Sequence, residues 1–231
     1  MAISVAQSGQ AGAGGGNWAV TLGSPTTSGN TLFYVATAYQ TSGAAPASSA
    51  PTLGGSPVSG AANLAETQDS AFIRLYVAIW MLPDVPGGQT ACSITMANSQ
   101  TINNVGLGVY EVSGLGASPA LDQSSLGNSA SAPSTAVDSG TTGTTAHAAE
   151  FVLGGASIDQ NTGAGAAGFT SMSFGGNTNS WSGYQIVSST GTFDWAQTAG
   201  SAANWAAVIV TVATPPPPSP GPAYTAFMAS M

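Results

Sequence analysis

Lysine is missing from this chain of 231 residues, and Arg74 is the single arginine. Asp and Glu together number nine, so 4% of residues are charged, against about 25% in an ordinary globular protein. With net charge -8 there is no cluster of cations to neutralise phosphates, which excludes a nucleic-acid footprint. The same shortage gives an anionic membrane surface nothing to attract. One cysteine, Cys92, excludes an intrachain disulfide. In ACSITM it alternates with Ile94 and Met96, the pattern of a buried small hydrophobe. One histidine, His147, leaves a Ser-His-Asp or Cys-His site a single candidate base, and no G-x-S-x-G elbow accompanies it. It sits in TTAHAAEF, which reads as surface or edge strand. Two His and Cys residues in total are too few for a protein-only zinc site.

Other absences narrow the location. The opening MAISVAQSGQ has neither a cationic start nor a long apolar run, so no Sec signal peptide is expected. The longest apolar run, residues 71–82, contains Arg74 and is too short to span a bilayer. The N-x-[ST] sequon does not occur. These features suit a protein made in a bacterial-type cytoplasm and used elsewhere without Sec export. A surface of Ser, Thr, Asn, Gln, Gly and Ala has little for salt to screen and offers trypsin one site.

What is present is 43% hydrophobic residues, 31 glycines and 14 prolines, with β-branched and aromatic clusters between the breakers. That supports a sizeable core and argues against disorder. Periodicity places strands at residues 3–7, 18–22, 31–40, 64–68, 72–82, 92–97, 105–112, 150–157, 168–174, 184–188, 192–197 and 205–213. Such spacing predicts an all-β fold, a β-sandwich or jelly-roll-like domain of roughly ten to twelve strands over residues 1–214. Residues 41–57 and 114–143 read as long polar loops. No internal repeat of fixed period is visible, which counts against a β-solenoid.

In the strand at 72–82, alternation sends Leu75, Val77, Ile79 and Met81 to the core. Tyr76 and Trp80, with Arg74, fall on the other face, to be covered by a loop or used as a subunit interface. Trp181 and Tyr184, in a Gly/Asn-rich stretch read as a loop, are candidates for stacking on a glycan or for interface packing. Asp159, Asn161 and Gly163 form the D-x-N-x-G opening of a calcium loop without its later Glu, so an Asx-rich turn is the competing reading. Glycoside hydrolysis needs facing carboxylates; Glu66, Asp69, Glu111 and Glu150 supply only scattered acids. The pattern implies no catalytic residues, no metal and no cofactor.

After residue 214 the chain changes character. Pro215, Pro216, Pro217 and Pro218 open a polyproline linker spanning 215–222. In residues 223–231, Tyr224, Phe227, Met228 and Met231 recur at i, i+3, i+4 and i+7, one apolar stripe on a short helix that needs a groove. This segment is expected to dock on a neighbouring chain.

Four runs carry a resemblance: GNTLFYVATAYQ (29–40), RLYVAIWMLPDV (74–85), VGLGVYEVSGL (105–115) and ANWAAVIVTVAT (203–214). Together they resemble β-sandwich proteins of tailed-phage virions, especially those of actinobacterial hosts. The resemblance covers most of residues 1–214 and implies a structural role on a phage particle, as a tail, tail-tip or capsid decoration protein. It brings no catalytic residues, and the Pro-rich arm lies outside it. Expected partners are other virion subunits and further copies of the chain. The alternatives are a carbohydrate-binding adhesin for a host-surface glycan and a self-assembling bacterial surface or filament subunit.

Overall fold

The computed structural model describes residues 2–13, 17–40, 46–69, 74–97, 102–130, 132–159, 165–174 and 177–214. The arm from Pro215 to Met231, the pair Asn161 and Gly163, and Phe72 and Ile73 lie outside these residues. Among the described residues the strands are β1 (Ser4–Ala13), β2 (Asn17–Thr21), β3 (Thr31–Gln40), β4 (Ala47–Ser48), β5 (Thr52–Leu53), β6 (Ser56–Pro57), β7 (Ala62–Asp69), β8 (Arg74–Leu82), β9 (Ala91–Ala97), β10 (Ile102–Ser113), β11 (Ala120–Asn128), β12 (Ser134–Asp138), β13 (Glu150–Ile158), β14 (Thr170–Phe174), β15 (Asn177–Val187), β16 (Ala196–Ala203) and β17 (Trp205–Ala213).

The fold is the expected all-β sandwich, with more strands than the expected dozen and more than two layers. One five-stranded sheet runs β1-β10-β3-β8-β7 and a second runs β11-β17-β13-β15-β14. A smaller sheet, β2-β9-β5-β6, with β4 also on β9, and a ribbon, β12-β16, complete the described strands. Every pairing is antiparallel.

Three apolar cores glue four layers together. Between the small sheet and the first large sheet lie Trp18, Val20, Ile94 and Met96 against Leu32, Tyr34, Tyr76 and Leu82. Between the two large sheets lie Phe33, Val77, Ile79 and Tyr110 against Phe151, Leu153, Val208 and Val210. Outside the second large sheet, Val152, Ile158 and Ile209 pack on Val137, Trp195 and Ala199. The large sheets are therefore covered on both faces. This explains why β13 and β17 are buried along their whole length and why their sequences, EFVLGGASI and WAAVIVTVA, are apolar at odd and even positions alike.

Glycines let the layers approach. A Cβ on Gly106 or Gly108 of β10 would lie 2.2 or 2.5 Å from the Phe174 ring, and one on Gly154 of β13 would lie 2.5 Å from Trp195. Each bulky ring fills a notch that no other residue could leave open.

Several sequence expectations change here. The 114–143 segment, read as a loop, contains β11 and β12, and the 41–57 segment contains β4, β5 and β6. The strand read at 192–197 starts instead at Ala196 and runs to Ala203. Trp181, read as a loop residue, lies within β15, paired with Ala156 of β13 and Ser173 of β14. The polar run NTNSWSG is strand because it fills the slot between two neighbours, whose backbone ladders override its turn-forming composition.

Candidate functional site

Tyr76 and Trp80 face the small outer sheet. Tyr76 is buried, its hydroxyl at 2.7 Å from Ser48 Oγ and donating to Glu66 at 2.9 Å. Trp80 Nε1 donates to the same Ser48 Oγ at 2.8 Å. The segment carrying β4 thus covers these rings. Trp181 and Tyr184, three residues apart on one strand, point to opposite faces. Trp181 packs on the outer core; Tyr184 packs on the central core, its ring 5.8 Å from Phe151 and 5.7 Å from Tyr110. Two rings on opposite sides of a sheet cannot form one stacking platform.

The acids separate in the same way. Glu66 is exposed on β7 and accepts from Asn63 and Tyr76, whereas Asp69 is buried and accepts from Ser129 Oγ. Glu111 is buried and accepts from Gln7 Nε2, the Thr27 N–H and Asn30 Nδ2, the latter two at 2.7 Å. Asp159 is held by Asn204, whose N–H and Nδ2 donate to its two oxygens at 2.9 and 2.7 Å. Among the described residues no group of three or more His, Cys, Asp and Glu side chains is placed to hold a metal ion. Cys92 is buried between the small sheet and the first large sheet, and burial pushes its thiol up to about 11.

One cluster of ionisable groups does converge. Asp122 sits in a β-bulge of β11, where the pairing with β17 skips from Leu121 to Gln123. A bulge re-aims the extra side chain. Here the Asp122 carboxylate accepts the Ala146 N–H at 2.6 Å. Glu150, wholly buried at the head of β13, accepts the His147 N–H at 3.3 Å. Burial pushes the Glu150 carboxyl up to about 7, and the adjacent Asp122 carboxyl adds to the effect, while Thr211 and the His147 N–H act against it. For Asp122, burial alone would raise the value; the hydrogen bond from Glu150, the Ala146 N–H, Gln123 and nearby His147 outweigh it and hold it below its ordinary 3.8. The two neighbouring carboxyls are thus shifted in opposite directions, Glu150 up and Asp122 down. Together the two side chains pin the 146–147 backbone to two strands.

Sequence reading noticed Glu150 and His147 but missed Asp122, and nothing in the sequence joined them. The available signal was a carboxylate opening a strand that is apolar but for Ser157. A cleft of about 670 Å³ lies elsewhere, lined by Ala6, 27–30, Ser113, Gly114, Gly116 and Thr214, none of them ionisable. Comparison with protein-family models, with curated proteins and with solved structures gave no match.

Proposed function

We propose that this protein is a non-enzymatic structural subunit of a tailed-phage particle, a tail, tail-tip or capsid decoration protein. In this reading its sandwich sits on the virion surface and its C-terminal segment, residues 215–231, ties it to neighbouring subunits. The observation that carries the reading is how the scarce chemical groups are used. Tyr76, Trp80, Glu66, Glu111, Asp159 and the Asp122–Glu150 pair are all engaged in holding strands and loops together. The resemblance of residues 29–40, 74–85, 105–115 and 203–214 to virion sandwiches points the same way.

The adhesin alternative loses support from the placement of its aromatics, since Tyr76 is buried, Trp80 is half-buried and bonded to Ser48, and Trp181 and Tyr184 diverge. A filament or surface-layer subunit stays as the second reading, because the edge strand β1, Ser4–Ala13, carries no charge or proline to repel strand addition. The experiment is particle assembly with a chain truncated after Thr214. A folded truncated protein that no longer enters particles is expected. Normal incorporation would refute the role of the arm, and filaments formed by the purified chain alone would favour the second reading.

A further inference from the structure

The strand orders of the two large sheets are the same order. In the first, β1-β10-β3-β8-β7 are the first, last, third, fifth and fourth strands of residues 4–113 once the short strands β4 to β6 are set aside as an insertion. In the second, β11-β17-β13-β15-β14 are the first, last, third, fifth and fourth strands of residues 120–213. The remaining second and sixth strands pair with each other in both cases, β2 with β9 and β12 with β16. Five strands can be ordered in dozens of ways, so agreement of all seven strands needs a cause.

The agreement reaches single residues. In β1 the ladder skips between Val5 and Gln7, opposite Val112 and Glu111; in β11 it skips between Leu121 and Gln123, opposite Val212 and Thr211. The same bulge thus interrupts the same strand, and a glutamine follows it both times. Register matches as well: Leu32 and Phe33 face Glu111 and Tyr110, while Val152 and Leu153 face Thr211 and Val210. Sidedness follows, since Leu107 and Val109 face the outer core and Tyr110 and Val112 the central one, as do Ala207 and Ile209, then Val210 and Val212. Even a loop bond recurs. Thr26 donates its N–H to the Gln89 carbonyl at 2.7 Å and takes the Gln89 N–H on Oγ1 at 3.1 Å; Thr142 makes the same two bonds to Phe193 at 2.8 and 3.0 Å.

The way the halves meet is that of a two-fold axis. β7 packs on β11 and β17, and its counterpart β14 packs on β1 and β10. Val35 and Gly155 hold equivalent positions on β3 and β13, and they face each other: a Cβ on Gly155 would be 2.7 Å from Val35 Cγ1. A position meeting its own counterpart marks the axis of an isologous contact.

We propose that this chain is a fused dimer. Residues 4–113 and 120–213 are two copies of one seven-stranded unit, and the inner face of each is an interface whose fitting partner is another copy of that unit. The inference is independent of the particle the chain serves. It explains why no fixed period shows in the sequence: the copies keep burial side, bulge and register while most side chains differ.

A two-fold axis carries the step from Ser113 to Ala120 onto the step from Ala213 to Ser4. Thr214 and Ala6 line one cleft with Ser113, which sets the end of β17 beside the start of β1. The test is a circular permutant opened between the exposed residues Ala117 and Ser118, with Ala213 joined to Ser4 by a Gly/Ser linker as long as the natural one, the six residues 114–119. The expected result is a monomer with native circular dichroism and a melting temperature near that of the natural chain. If a control joined through residue 231 to residue 1 folds and the short join does not, the proposal is overturned. A second test uses the intact chain. Gly155→Val and Val35→Gly should each lower the melting temperature by roughly 4–10 °C, and the double exchange should restore most of the loss. Losses that simply add would overturn the two-fold contact.

Discussion

Stability should fall as pH rises through neutrality, against the habit of most carboxylate-bearing proteins, and Glu150 is the reason. Its carboxyl is raised in the folded state from an ordinary 4.5 to about 7. The folded chain therefore holds a proton that the unfolded chain releases between those values. The stabilisation is complete below about 4.5 and is lost as pH climbs through about 7. At about 1.4 kcal/mol per pH unit, the gap caps the effect at about 3.5 kcal/mol. Asp122 moves in the opposite direction, and its contribution is lost only as pH falls below its ordinary 3.8, outside the window of interest. For a domain of this size about 1 kcal/mol shifts the melting temperature by about 2–4 °C. Thermal unfolding at pH 5 and pH 8 should then differ by roughly 4–10 °C, with pH 5 the more stable. Glu150→Gln keeps a carbonyl for the His147 N–H and removes the titrating carboxyl. It should flatten the profile and exceed the natural chain at pH 8. A melting temperature that is level or rising from pH 5 to 8, or the same slope in Glu150→Gln, would refute the raised Glu150 carboxyl as the cause.

Three further outcomes are expected. Gly106→Ala drives a methyl into the Phe174 ring and should cost about 1–3 kcal/mol in urea unfolding; with Phe174→Leu as a second change, part of that loss should return. Tyr110→Phe removes the buried 2.6 Å bond to Ser182 and strands its hydroxyl, for a loss of about 1–2 kcal/mol. Cys92, buried and with its thiol raised to about 11, should resist a disulfide reagent at pH 8 in the folded protein and react at once in denaturant.

Strands with large alternating or continuous apolar side chains were legible from the sequence. β3, β8, β9, β10, β13 and β17 fall where Val, Ile, Leu and the aromatics cluster, because those side chains both favour strands and fill the cores. β11, ALDQSSLGN, and β12, STAVD, were not, because they are polar strands held chiefly by backbone ladders to β17 and β16. A ladder depends on a partner far along the chain, and local composition carries no trace of it. The acid cluster was hidden for the same reason. Asp122 owes its direction to a bulge and Glu150 its burial to layers on both sides, and both are products of pairing. The covering of Tyr76 and Trp80 by the segment carrying β4 was one of two readings left open by an aromatic outer face.

The position of β17 has a bearing on how the molecule is made. It lies between β11 and β13, two strands synthesised earlier, and β10 likewise lies between β1 and β3. Each large sheet must wait for its last-translated member to slide into a gap already flanked on both sides. Until residue 213 has left the ribosome, β13 has one bare edge and an apolar surface. Pairing across such distances along the chain is slow. The order of synthesis thus leaves that apolar surface uncovered until the last strand of each half arrives.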